Sequence, residues 1–278
     1  MSINILTDST SDLGAEIVQE FGIDVIPLPV TIGGQVYLDG LEIDQDKLFD
    51  LVEQFGTLPK TAAPSMGEFL KFFDRPGESI FIGISSRLSA TIQNAKLAAA
   101  ELPAGRVRVV DSLNLSTGIG LLVLLAAELR RAGKSADEIE QAVLAKVPKV
   151  RTSFIIDTME YLYKGGRCNA LQAIAGSVLK IHPIIEVRSD GTLGVKEKAR
   201  GVRQKGLQMM LDDFAAHLDQ LDRHRVFVTH TTSPEDAEFL KSEIIRLAAP
   251  DEVRITKAGS VISSHCGPAT IGILYMLK

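Results

Sequence analysis

The sequence contains no tryptophan, and aromatic residues make up only 5% of its 278 positions. Aliphatic and small side chains must therefore do most of the core packing, and any ligand pocket they build is aliphatic in character. Cysteine is scarce as well. Cys168 and Cys266 lie far apart and neither belongs to a C-x-x-C pair, so they read as reduced thiols rather than a disulfide framework. None of the five histidines forms H-E-x-x-H or pairs with a cysteine at zinc-finger spacing, so no metal site and no cofactor is expected. Long apolar runs are missing. The most apolar stretch, residues 119–127, is about half the ~20 residues a membrane span requires. The start, MSINILTDST, shows no basic segment followed by an apolar run, so no signal peptide is expected and the protein is placed in the cytoplasm. Positive charge is also in deficit: 30 Lys and Arg stand against 35 Asp and Glu, for a net charge of −5. No stretch interleaves basic and aromatic residues, which argues against nucleic acid as a partner.

What is present is the composition of a globular protein, with 45% hydrophobic and 23% charged residues. Short Ile- and Val-rich runs alternate with segments of helical period, the pattern of strand–helix–strand units and a mostly parallel sheet. Residues 3–7, 79–84 and 106–110 read as buried strands, followed by helices over about 12–21, 89–101 and 116–132. Residues 23–32 read as one further strand near an edge or bend, because of Pro27 and Pro29, and a helix is expected over 66–73. Ser135 caps a helix that ends near Pro148, which places a domain boundary at 149/150. Beyond it come a strand at 153–157, helices at 158–164 and about 169–179, and a hairpin of strands 183–188 and 193–198 around Asp190-Gly191. A helix over about 201–220, a strand at 225–230, a helix after Ser233-Pro234-Glu235 and strands near 252–257 and 270–277 complete the chain. The fold class is therefore α/β, with two α/β domains: residues 1–149 around a mostly parallel sheet flanked by helices, and 150–278 around a mixed sheet with helices.

Three loops follow the N-terminal strands: Thr7 to Asp12, Ser85 to Thr91 and Asp111 to Thr117. All are rich in Ser, Thr and Asp. Such residues commonly cap helices. In an open parallel sheet, however, ligands bind at the carboxyl ends of the strands, and these loops share that edge. Ser89 falls at the projected start of a helix, where free amides favour an anion. Thr61, in Thr61-Ala62-Ala63-Pro64-Ser65, offers a second hydroxyl. His265 stands between two serines and a Cys-Gly-Pro turn, where it can donate to an anion, and it is expected to titrate near neutral pH. His230 ends a strand. Arg167 follows a Gly-Gly turn, and residues 196–205 carry five positive charges, Arg200 among them, against one negative. Such a run suits a solvated helix face, an anion site or a docking surface. There is no G-x-S-x-G elbow, no Walker loop and no G-x-G-x-x-G after the first strand, so no complete catalytic constellation is visible.

Taken in order, TDSTSDL (7–13), TAAPS (61–65), SSRLSAT (85–91), VVDS (109–112), YLYKGGR (161–167) and SHCGPAT (264–270) resemble the DegV family of bacterial fatty-acid-binding proteins, across nearly the whole chain. The resemblance implies two α/β domains around one long-chain fatty acid and a role that is not enzymatic. The bound acid is presented to a separate fatty acid kinase, and the acyl phosphate is carried towards phospholipid synthesis. Carried over to this chain, it implies that Thr61 and Ser89 hydrogen-bond the carboxylate with His265 close by, and that Ser9, Ser86, Ala90 and Gly267 belong to the same ligand-binding set. Arg167 and Arg200 become candidates for kinase docking or for supporting the phosphorylated head. The chain departs from the family pattern at Arg87, at Ala90 and at Ala269; the last two stand where the family has glycine. Two other function classes remain: a kinase-like or hydrolytic enzyme using His230 or His265, and a lipid-sensing regulatory module.

Overall fold

A computed structural model describes residues 2–168 and 181–278. The helix expected over about 169–179 lies outside the described residues. Near the N-terminus the chain builds a four-stranded, all-parallel sheet in the order β2-β1-β6-β7, from β1 (Ile3–Asp8), β2 (Ile23–Ile26), β6 (Glu78–Gly83) and β7 (Val107–Asp111). Its central strands, β1 and β6, carry apolar residues in both alternating positions because both faces are covered. Leu6 and Phe81 pack on one face with Phe69 and Phe73 of α3 (Met66–Phe73) and Ile92 and Ala95 of α4 (Thr91–Ala100). Ile5, Ile80 and Ile82 pack on the other, towards α5 (Thr117–Arg131).

The second sheet has six strands in the order β10-β9-β8-β13-β11-β12: β8 (Val150–Ile155), β9 (Ile181–Val187), β10 (Leu193–Arg200), β11 (Leu221–His230), β12 (Glu252–Lys257) and β13 (Ile271–Leu277). It is mixed, since β11 and β12 run parallel and the other neighbours antiparallel. Leu207, Met210 and Phe214 of α8 (Arg203–Ala215) and Leu240 and Ile244 of α9 (Pro234–Ala248) cover one face. Phe154, Phe227 and Leu274 on the other face join the same apolar cluster as α5. That helix is packed between the two sheets. This accounts for residues 119–127 being the most apolar stretch: a helix buried all round has no side to leave polar.

Residues 23–32 do not form one strand. β2 ends at Ile26, and β3 (Pro29–Ile32) belongs to a separate three-stranded sheet with β4 (Gln35–Leu38) and β5 (Lys60–Thr61). Pro27 and Pro29 have no N–H to offer a ladder, so the chain changes sheets between them. The sequence reading assigns no element between residues 33 and 60. There β4, β5 and α2 (Gln45–Phe55) form, α2 being started by Asp44, whose carboxylate accepts the Lys47 N–H at 2.9 Å. Capping boxes start α3, through Ser65 and Glu68, and α6 (Ala136–Lys146), through Ser135 and Glu138. The helix expected over 201–220 stops at Ala215. The serine-rich segment before the Cys-Gly-Pro turn is itself a helix, α10 (Ser260–Cys266), packed against α2, β3, β5 and α7 (Glu160–Gly165). Among the described residues no helix is long and apolar enough to cross a membrane.

Candidate functional site

An apolar cavity of about 180 Å³ lies between the β6–α4 loop, β5 and α10. At the ~30 Å³ that a water-sized group takes up in a liquid it has room for roughly six methylenes. Ile84, Leu88, Leu115, Leu162, Leu193 and Ile262 are among its walls. Leu115, Ile262 and Cys266 also wall a smaller cavity of about 30 Å³, so the apolar path continues inward. The Cys266 thiol is fully buried and its pKa is pushed up to about 12 by that burial, so it is a wall atom rather than a nucleophile.

Polarity is confined to one end, where Thr61, Ser89, His265 and Arg167 meet the cavity. Thr61 Oγ1 lies 2.8 Å from His265 Nε2 across 204 residues of sequence. The other ring nitrogen, Nδ1, is buried and has no hydrogen-bond partner among the described residues. A lone pair is less costly to orphan in the interior than an N–H. The network therefore places the proton on Nε2, which donates to Thr61 and leaves the Thr61 hydroxyl hydrogen for a ligand. Burial, and secondarily the Arg167 charge, hold the His265 pKa down to about 4, so the ring is neutral at physiological pH and does not titrate near neutrality as the sequence suggests. Ser89 lies 2.8 Å from Thr91 Oγ1, and its oxygen accepts the Thr91 N–H at 3.3 Å. The helix proper starts at Thr91, so Ala90 holds the N-cap position, at φ −75° and ψ 0°. Those angles suit alanine, and the departure from glycine at 90 carries no backbone strain.

Several residues without a sequence signal place these groups. Asn94 of α4 donates to the Pro64 carbonyl at 2.8 Å and ties the Thr61 loop to the Ser89 loop. The start of α10 is held by carboxylates from the N-terminal loops: Asp12 accepts the Gly259 N–H at 2.8 Å and the Ser116 hydroxyl at 2.6 Å, and Asp39 accepts the Ser260 N–H at 2.7 Å. Burial raises the pKa of both carboxyls. Gly165 closes α7 against the histidine. A Cβ there would stand 2.6 Å from His265 Nδ1, nearer than ordinary contact allows.

The remaining sequence candidates are dispersed. Ala90 lines the cavity beside Ser89. Ser9 accepts the Leu28 N–H at 3.1 Å and lies outside the cavity wall. Ser86 is exposed and lines a separate polar cleft. Gly267 caps α10, and its carbonyl accepts the Thr231 hydroxyl at 2.7 Å. Arg167 reaches from the exposed rim to the Gly165 carbonyl at 2.6 Å. Arg200 is exposed at the end of β10, away from the cavity. His230 is buried, with Nδ1 accepting the Ser233 N–H at 3.1 Å, and its pKa is lowered by burial and by Lys257. Of the three hydroxyl-rich loops, the first is spent largely on internal anchoring, and the third offers the cavity Leu115 rather than a hydroxyl.

A family model described as uncharacterised proteins of the DegV family matches residues 2–278. The chain is 33% identical over 285 residues to a DegV domain-containing protein of Caldanaerobacter subterraneus subsp. tengcongensis, covering 99% of each. Among solved structures it is similar to a DegV family protein of Thermus thermophilus described by its fatty acid binding, at 32% identity and a TM-score of 0.93 over 100% of both chains. It is also similar to DegV, a fatty acid binding protein from Bacillus subtilis, at 28% identity and a TM-score of 0.86 over 100% of both chains.

Proposed function

The chain belongs to the DegV family, and from that premise we propose that it binds a long-chain fatty acid, presents the carboxylate to a separate fatty acid kinase, and carries the acyl phosphate towards phospholipid synthesis. The observation that carries this reading is the distribution of polarity: an apolar cavity with two hydroxyls, Thr61 and Ser89, at one end and a neutral histidine behind one of them. Roughly six methylenes buried in this cavity at ~0.8 kcal/mol each would supply on the order of 5 kcal/mol before costs, more than the ~1 kcal/mol of each head-group hydrogen bond, so the tail dominates affinity. Hydroxyl donors orient a carboxylate without locking it in an ion pair, which keeps an oxygen available to an incoming phosphoryl group. In this reading residues 1–149 supply the head-group loops, residues 150–278 supply His265 and the basic surface with Arg167 and Arg200, and the protein works in the cytoplasm.

The Thr61–His265 pair invites an enzymatic reading, since a hydroxyl beside an imidazole is the start of a nucleophile–base pair. Two features favour the carrier. A ring with a pKa of about 4 is a weak base, and among the described residues no carboxylate meets its Nδ1 to orient it or to stabilise an imidazolium. The Nδ1 of His230 is engaged by backbone.

Native mass spectrometry of protein purified from a bacterial host, followed by lipid extraction, tests the binding step; an empty protein that refuses added fatty acids overturns it. With a fatty acid kinase and ATP, Ser89→Ala should slow acyl phosphate formation by roughly tenfold, and loading with fatty acid should fall much less. Unchanged phosphorylation would remove Ser89 from the presenting role.

A further inference from the structure

Beside the mouth of the apolar cavity is a polar cleft of about 570 Å³ that shares Leu88, Arg167 and Leu193 with it. Its other walls include Arg87, Arg188 and Asp190. We propose that this cleft is a binding site for a phosphoryl group, with Arg87 and Arg188 as the side chains that grip it.

Most guanidinium groups in this acidic chain are engaged. Among the described residues, only those of Arg87, Arg188 and Arg200 form neither a hydrogen bond nor an ion pair, and two of these three face the same cleft. The scaffold beneath them is firm. The hairpin turn of Arg188 to Thr192, closed by the Arg188 N–H on the Thr192 carbonyl at 2.9 Å, docks on the β6–α4 loop through Ser85, whose hydroxyl donates to the Gly191 carbonyl at 2.9 Å. The Arg188 side chain lies across β10 at Gly194, where any Cβ would collide with its guanidinium. Glycine at 194 leaves open the space in which the Arg188 guanidinium lies.

The charge of the cleft selects the ligand. Three guanidiniums, of Arg87, Arg167 and Arg188, face one carboxylate, Asp190, whose Oδ1 already accepts the N–H and hydroxyl of Thr192 at 3.0 and 2.6 Å. A surplus of two positive charges matches a phosphate monoester, which carries roughly −1.5 to −2 near pH 7 and three acceptor oxygens. A carboxylate offers half that charge and fewer acceptors, and planar guanidinium forks suit phosphate oxygens. Arg87 is one of the departures from the family's loop, so it adds a charge that the common pattern lacks. The shared wall at Leu88 and Arg167 puts the cleft within reach of a phosphate on the head of a cavity-bound lipid. That link rests on the carrier reading, whereas the site itself rests on the cleft.

Isothermal titration of the full chain with inorganic pyrophosphate, at low salt, tests the site without any lipid. The wild type should bind, and Arg87→Gly and Arg188→Gln should each weaken binding by roughly tenfold or more, with fatty acid loading by native mass spectrometry unchanged. Two further probes separate the sources of phosphate. If the phosphoryl group is a lipid head, hexadecyl phosphate binds more tightly than pyrophosphate and loses the same factor in both variants. If it belongs to a free nucleotide, a non-hydrolysable ATP analogue shows that loss and hexadecyl phosphate does not; either result supports the site. No pyrophosphate binding, or binding that survives both substitutions, overturns the proposal. Neither of those outcomes bears on fatty acid binding, which the mass spectrometry reads separately.

Discussion

Replacing Gly165 with alanine adds one methyl group at the last residue of α7, and helix propensity alone favours the change by up to ~1 kcal/mol. The tertiary contact reverses the sign. The new Cβ would lie 2.6 Å from His265 Nδ1, against 3.4 Å or more for ordinary contact, so the ring must retreat by roughly 0.8 Å. The Cβ presses on Nδ1, on the far side of the ring from Nε2, so the retreat drives Nε2 towards Thr61 Oγ1 and compresses their 2.8 Å hydrogen bond until one partner is displaced. Overpacking of this kind costs about 1–3 kcal/mol, which exceeds the propensity gain. Gly165→Ala should therefore lower stability by about 1–2 kcal/mol. It should weaken fatty acid binding roughly fivefold, because the ring pushes the Thr61 hydroxyl out of its place at the cavity. Urea unfolding measures the first, and displacement of a fluorescent fatty acid measures the second. A variant as stable as the wild type, or more so, with unchanged affinity would refute the inferred contact between α7 and the histidine.

Two further outcomes follow from the same geometry. The folded pKa of His265 is depressed to about 4 from an ordinary 6.5, so the unfolded chain takes up the proton first; the stability this neutral ring contributes is full above pH 6.5 and is lost as pH falls towards 4. Asp8, raised by burial from 3.8 to about 6, acts in the opposite direction over much of that window, destabilising as pH rises through it, so the His265 effect must be read as a difference. The stability gap between wild type and His265→Gln in urea should shrink by about 1–2 kcal/mol between pH 7.5 and pH 5; a gap independent of pH would contradict a neutral, buried ring. Ala269 sits at φ 54°, where the family has glycine, so Ala269→Gly should relieve about 1 kcal/mol of left-handed strain, partly offset by a freer unfolded chain. A thermal melt should show a small rise, and a fall would mean that the alanine methyl has packing worth more than the strain.

The sequence by itself determined the alternation of strands and helices, because period and caps are local. Ser135 and Pro234 start their helices where those residues predict, and the Asp190-Gly191 hairpin forms between the expected strands. Thr61 and His265 were legible as candidates through ordered motifs, but their 2.8 Å contact joins residues 204 positions apart and no local signal could pair them. The split of residues 23–32 between two sheets is hidden for a related reason: a β-rich run shows that a strand can form but not in which sheet, and here Pro27 and Pro29 mark where the chain passes from one sheet to another. The buried placement of α5 was visible only as a very apolar helix; that it has a sheet on each side is a property of the whole core. Tertiary structure alone decided the protonation state of His265, since burial and Arg167, rather than neighbours in sequence, lower its pKa. It also decided which hydroxyls face the cavity. Loops of similar composition turned Ser89 inward and gave the Asp12 and Ser116 side chains to anchoring, because each loop's backbone is directed by the elements it joins.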